Sequence, residues 1–470
     1  MEFKESKRDA MYRSMKYWGK KPHNIWSDLI KQNTKKNDIV MDPFAGSGVA
    51  FFESIALHRK PVVNDINPLT HFIVDVFSSS YNEKEINKLL KYISINVQDN
   101  ALYKNYMKTK CSNCGHLTDI YNYRYENNIV AYAYKCENCK KTLIDDNQKD
   151  IQVINYPLIG IPEFNLSKLH SITNSSIDKF GGDDFKYLWT PLNSQLLKSI
   201  FEIILTFEEP YRKLFVFAFI QTSHLTSKMC AIRGEKSNRI LSSSWGRPAF
   251  MALSKYMSQN PLIQLNRALY GNSGIVKAIS AKNQRNISYN FSSNKEDFNK
   301  KKEALVQNID SSKFSYDRVD FIITDPPYGD IIKYGELSLI WNLWLVKAYP
   351  SYKINLDNEI IIDKNKNRYY YEEKMNKVFT NCERSLKDNG KMIFTYNSQN
   401  NNDWSSIKNV IKSTNFEISN FYLQNNLRSS ESNVKGTTPT SKSDYYIELS
   451  KEKNLFTDYN FEILDELINK

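Results

Sequence analysis

Asp38-Ile39-Val40-Met41-Asp42-Pro43-Phe44-Ala45-Gly46-Ser47-Gly48 is the stretch on which the fold turns. Its first four residues read as a short apolar strand, and the glycines bend the backbone ahead of an apolar helical run over residues 47–58. A second strand follows at Pro61-Val62-Val63-Asn64 and ends on Asp65. Strand, turn, helix and strand in that order open a doubly wound α/β sheet, since parallel neighbours need a crossover.

Outward from this unit the alternation continues only in the last third of the chain. Val319-Asp320-Phe321-Ile322-Ile323-Thr324 is an apolar run bounded by polar residues, as a buried parallel strand requires. Helices are expected at 370–386 and 404–413, and strands near 286–291 and at 391–396, 416–423 and 445–449. The chain therefore divides into 1–77, the cofactor half of the α/β domain; 78–277, an inserted α+β target-recognition region; 278–455, the catalytic half; and a peripheral tail, 456–470. Within the insertion residues 211–226 are apolar and helical in pattern.

The 470 residues, 41% of them hydrophobic, can bury a full core. No apolar run is long enough to span a bilayer, and the charged start lacks a signal-peptide pattern, so a cytoplasmic place without membrane contact is expected. A formal charge of +12 suits a protein that approaches polyphosphate, although a Lys/Asn-rich solvated run at 294–302 supplies part of it.

In the first motif, glycines let the backbone pass close to a ligand. Asp65, roughly 20 residues further on, can accept both ribose hydroxyls of a nucleoside. The spacing is not Gly-x-Gly-x-x-Gly, which favours S-adenosylmethionine over a dinucleotide.

A second motif, Asp325-Pro326-Pro327-Tyr328-Gly329, follows the apolar strand at 319–324. The prolines stiffen the exit from the sheet, so the Asp325 carboxylate and Pro326 carbonyl form a rigid acceptor patch, with Tyr328 as a stacking face. Those parts suit an amino group on a flat ring, which can be clamped and drawn out of conjugation without a covalent intermediate.

Taken together, Asp42 to Gly48 and Asp325 to Tyr328 resemble the amino-methyltransferase family of bacterial and archaeal DNA methylases. Tyr17-Trp18-Gly19-Lys20-Lys21-Pro22-His23-Asn24 and Tyr334-Gly335-Glu336-Leu337-Ser338 resemble, more narrowly, the adenine-specific members that carry a zinc ribbon. The resemblance covers roughly 12–75 and 315–450. It implies a Rossmann-like methyltransferase sheet, an S-adenosylmethionine cofactor, and transfer to N6 of adenine in double-stranded DNA after base flipping. It assigns the methionine end of the cofactor to Trp18, Lys20 and Pro22, the glycine motif to Asp42, Phe44, Gly46 and Gly48, and the ribose to Asp65. Asp325, Pro326, Pro327 and Tyr328 take the catalytic part. An acidic residue expected after the third strand is not evident at 286–293. A restriction or defence-system partner would be in keeping with such an enzyme.

Of six cysteines, four form two knuckles, Cys111-Ser112-Asn113-Cys114 and Cys136-Glu137-Asn138-Cys139. Their spacing lets a hairpin at 118–134 bring four thiolates around one tetrahedral zinc within a ribbon at about 108–142, a closed and therefore structural site. A redox Cys-x-x-Cys pair would need a thioredoxin-like context that is missing. Arg233, Arg239 and Arg247 in the insertion would meet phosphates. Trp341 and Trp344 read as packing residues, and His23 and His224 as structural.

Rival readings are an RNA guanine-N2 methyltransferase, which also resembles users of Asp-Pro-Pro-Tyr, and a catalytically inactive nucleic-acid-binding defence or regulatory module. Cytosine-C5 chemistry lacks its Pro-Cys nucleophile.

Overall fold

The computed structural model describes residues 2–126, 129–146, 160–232, 242–245, 248–398, 400–425, 443–452 and 461–462. The strands are β1 (Glu2–Phe3), β2 (Ile39–Asp42), β3 (Lys60–Asn64), β4 (Lys108–Lys110), β5 (Leu117–Glu126), β6 (Ile129–Lys135), β7 (Thr142–Asp146), β8 (Lys255–Gln259), β9 (Phe291–Ser292), β10 (Ala304–Gln307), β11 (Val319–Thr324), β12 (Leu386–Tyr396), β13 (Glu417–Asn425) and β14 (Ser443–Ser450). The chain forms two compact units: Met1–Ser78 with Ser280–Gly335 and Ile354–Lys470, and Ser79–Ile279 with Glu336–Lys353.

The first unit is a nine-stranded sheet in the order β1-β13-β14-β12-β11-β2-β3-β10-β9. Every pairing is parallel except those of β14, which runs antiparallel to β12 and β13. From β2 the order moves one way through β3 to β10, while β11 moves the other way to β12. The switch point, where open α/β sheets bind ligands beyond their carboxyl edge, thus falls between β2 and β11. Helices Val49–Ala56 and Arg368–Ser385 belong to this unit. The expected doubly wound α/β architecture is the one observed.

One strand differs from expectation. Residues 286–290 are not strand, and β9 is a two-residue edge, whereas β10 takes the place beside β3. Ala304, Leu305 and Val306 are fully buried there, and three apolar residues amid lysines give too short a run to stand out as periodic.

In the second unit β5 pairs antiparallel with β4, β6 and β8, and β6 with β7. Helix Tyr211–Leu225 is buried over Leu214 to His224, as its all-round apolarity demands. The stretch Glu336–Lys353, expected in the catalytic half, groups instead with this unit. Its Trp344 packs edge-on against Phe219 and Trp189, at 4.9 and 6.0 Å between ring centroids, which is why an apolar helix follows the second motif. Trp341 is equally buried, and His224 meets the hydroxyls of Ser242 and Ser244 at 3.0 Å, a satisfied core histidine. Of the tail, Phe461 is 8% exposed and packs into the core of the first unit, so the chain is not peripheral at that point.

Candidate active site and cysteine cluster

At the carboxyl end of β2 the chain turns through two glycines in the left-handed region, Gly46 at φ 52° and Gly48 at φ 80°. A Cβ on Gly46 would come within 3.2 Å of the Tyr17 ring, so only glycine lets the loop pass that aromatic. The Gly46 N–H donates to Asp65 Oδ2 at 2.6 Å, and Asn67 N–H donates to Oδ1 at 2.8 Å. The end of β3 therefore fixes the loop that follows β2. Burial pushes the Asp65 carboxyl up to about 6, against these amide donors.

Asp42 is fully buried. Its Oδ1 accepts from Thr324 Oγ1 at 2.7 Å and from Phe44 N–H at 3.0 Å, which ties β2 to β11 across the switch point. Oδ2 is buried and receives no donor among the described residues. Burial pushes this carboxyl up to about 8, so it is mostly protonated at neutral pH.

Asp325 stands at the end of β11. Two hydroxyls, those of Tyr328 and Thr395, donate to one of its oxygens, and the Lys21 ammonium forms an ion pair with the same oxygen at 3.2 Å. All reach Oδ1, and Oδ2 accepts from none of the described residues. Burial raises Asp325, while Lys21 and the two hydroxyls pull it back, leaving a net shift upward. Lys21 also donates to Tyr328 Oη at 2.8 Å and to Asp444 Oδ2 at 3.1 Å, and Asp444 Oδ1 accepts from Asn397 Nδ2.

A cleft opens between these strand ends, with about 730 Å³ of empty space when the adjoining open solvent is included. Of the residues expected to bind cofactor, Trp18, Lys20, Phe44, Gly46 and Asp65 line it; Asp325 and Pro327 of the second motif line it too. Pro22, Asp42, Gly48, Pro326 and Tyr328 are not among its walls. Lys20 touches the cavity, but its ammonium turns to the carbonyls of Tyr12 and Met15, both at 2.7 Å. The Tyr328 hydroxyl is turned onto Asp325, and its half-buried ring meets Tyr396 at 64°, 5.0 Å between centroids.

Tyr17 and Tyr334, which open the two segments that resemble the zinc-ribbon members, also line the cavity, as do Ser311 and Glu359, which no motif marks. Glu359 accepts from Gly335 N–H at 2.7 Å. The acidic residue sought after the third strand has a counterpart once β10 is placed, since Asp310 follows it. Its carboxylate, however, is taken by Lys374 at 2.7 Å and Ser312 N–H at 2.9 Å, and its neighbour Ser311 faces the cavity.

In the second unit Cys111, Cys114, Cys136 and Cys139 bring their sulfurs within 4.8 Å of one another. The pairs Cys111–Cys139 and Cys114–Cys136 stand at 3.7 and 3.5 Å, near the ~3.8 Å edge of a tetrahedron with ~2.3 Å metal–sulfur bonds. The His116 N–H and the Asn138 amide favour the thiolate at Cys114, while its partner Cys136 is pushed the other way, so the pair shares one proton in the absence of a metal. The cluster can hold one metal ion. Arg233, Arg239 and Arg247 lie outside the described residues.

No helix among the described residues is long and apolar enough to cross a membrane. Residues 3–108 and 319–466, more than half of the chain, match the family model N6_N4_Mtase, described as DNA methylase. No curated protein matches the chain.

Proposed function

The chain belongs to this family of N6/N4 amino-methyltransferases, and from that premise we propose that it uses S-adenosylmethionine to methylate N6 of adenine in double-stranded DNA. The observation that carries the reading is the unequal use of Asp325, a residue of the cavity wall: one oxygen is held by two hydroxyls and an ammonium ion pair, and the other accepts from none of the described residues. An amino group entering there finds a fixed acceptor, and electrostatic preorganisation of that kind lowers a barrier without a covalent intermediate.

The walls fit an adenosyl cofactor. A close-passing glycine loop, the Asp65 carboxylate and the Trp18 and Phe44 rings supply a tight backbone approach, a hydroxyl acceptor and apolar cover. When bound, the cofactor would supply a methyl group on a sulfonium. Asp65 would hold the ribose, and Asp325 Oδ2 would accept a hydrogen from the target nitrogen as that nitrogen turns tetrahedral, then take its proton. Asp42 is better placed to brace the β2–β11 junction than to touch the ligand. The target base must leave the duplex to reach a cavity at this edge. The four cysteines would hold a structural zinc, about one per chain, and Cys136→Ser should lose metal and local stability while cofactor affinity holds.

Unmodified genomic DNA incubated with methyl-labelled S-adenosylmethionine and digested to nucleosides tests the reading. Label in N6-methyladenine is expected. Label in N4-methylcytosine would move the target within the family, and label in tRNA guanine but not in DNA would overturn the proposal.

A further inference from the structure

Lys21 has no part in either motif, yet it is the only cation among the described residues that reaches Asp325. Its ammonium touches three groups from two distant segments: Asp325 and Tyr328 of the loop after β11, and Asp444 near the start of β14. The lysine and both aspartates are nearly enclosed, with side-chain exposures of 11%, 16% and 15%. Such a cluster is costly to bury unless its charges answer one another, and here one cation stands between two carboxylates.

We propose, building on the methyltransferase reading, that Lys21, shared with Asp444, is a positioning residue for Asp325: it fixes Oδ1 and leaves Oδ2 as the ionised acceptor for the target amino group. The chemistry requires this. Methyl transfer forms a nitrogen–carbon bond and breaks the carbon–sulfur bond, whose electron pair stays on sulfur. The nitrogen gains positive charge and sheds one proton, and only an ionised Asp325 can receive it. Burial alone opposes that ionised state. Asp444 weakens the help Lys21 gives, because it competes for the same ammonium, and its negative charge also acts on Asp325 directly. The other groups facing the pair are neutral hydroxyls of Tyr328, Thr395 and Tyr446, together with Asp42, whose carboxyl is largely protonated.

Opposite effects on pH dependence follow from the two partners. In Lys21→Met the ionised form of Asp325 loses its cation, so the acid limb of the single-turnover methylation rate moves up by about one pH unit or more. At high pH much of the rate returns. Lys21→Arg keeps the charge and should keep the limb near the parental position. In Asp444→Asn the competing carboxylate is gone, and the limb moves to lower pH. A readout independent of turnover is the infrared carbonyl band of protonated Asp325, identified by its loss in Asp325→Asn. At the midpoint pH of the parental acid limb, where Asp325 is half protonated, it should grow in Lys21→Met and shrink in Asp444→Asn.

A uniform loss of rate at every pH, or shifts of the same sign in both variants, would assign Lys21 a merely structural place and overturn the inference. Should Lys21→Met fail to fold, Asp444→Asn decides alone, since an unmoved limb and band there are equally fatal. A parent enzyme that places no methyl group on DNA would refute the functional reading, while the infrared arm would still judge the Lys21 pair.

Discussion

β2 and β11 lie side by side, and an aspartate stands at the carboxyl end of each, Asp42 fully buried and Asp325 nearly enclosed, yet the two carboxyls are treated in opposite ways. Asp42 receives neutral donors only, keeps one oxygen without any, and is pushed up to about 8. Asp325 receives two hydroxyls and an ammonium, all on one oxygen. One lysine separates a neutral brace from a candidate charged acceptor. Position at a strand's carboxyl edge does not by itself make an aspartate catalytic; the charge of its partners does.

The harshest way to break the comparison is Asp325→Ala. Its loss should cut the single-turnover rate by roughly 100-fold or more, the typical effect of removing one transition-state hydrogen bond, with cofactor and DNA affinities little changed in parallel titrations. A parental rate would move the acceptor elsewhere.

Asp65→Ala tests the other side of the cavity. It removes a hydroxyl acceptor and frees the Gly46 N–H, so S-adenosylmethionine affinity should fall roughly 10- to 100-fold, as for hydrogen bonds to a charged group. Because this carboxyl is pushed up to about 6 and its ionised form is the better acceptor, parental affinity by calorimetry should also weaken as pH drops through about 6.

Tyr328→Phe sharpens the picture of the acceptor. The hydroxyl is what the structure aims at Asp325. Removing it should slow the rate roughly tenfold, near the weight of one hydrogen bond to a charged group, and an unchanged rate would return Tyr328 to a stacking role alone.

Asp42→Asn should change turnover least, because an amide oxygen still accepts from Thr324 and Phe44. Its signature is in stability. A carboxyl raised from 3.8 to about 8 holds a proton in the folded state that the unfolded chain releases. Its contribution to stability thus declines as pH rises from about 4 to about 8, and is lost above that. Denaturant titrations should show this decline in the parent and a flatter profile in the variant.

What was legible in the sequence is what constrains backbone locally. Glycines that need a left-handed turn, paired prolines and Cys-x-x-Cys spacings announce themselves without a partner, and they delivered the β2 loop, the Asp325 exit and the sulfur cluster. Illegible were roles created by juxtaposition. Lys21 meets Asp444 across 423 positions, and nothing local distinguishes it from Lys20, whose ammonium serves backbone carbonyls instead. Both lysines line the cavity, and only their partners across the fold tell them apart. β10 escaped for a related reason: its burial comes from β3 and β9, and only three of its residues are apolar.

The Asp42–Thr324 hydrogen bond joins residues 282 positions apart, and this separation sets a timetable for synthesis. At ~5–20 residues per second, the β2 loop waits roughly 15–60 s before β11 exists to pair with it. Meanwhile Ser79–Ile279 emerges as one uninterrupted stretch. During that interval β2 carries an apolar, unpaired edge, the kind of surface that invites aggregation or chaperone capture. A nascent chain bearing the whole glycine motif still lacks the neighbour that braces it, so for this enzyme the decisive event in acquiring a ligand site comes late, when the far end of its own polypeptide arrives.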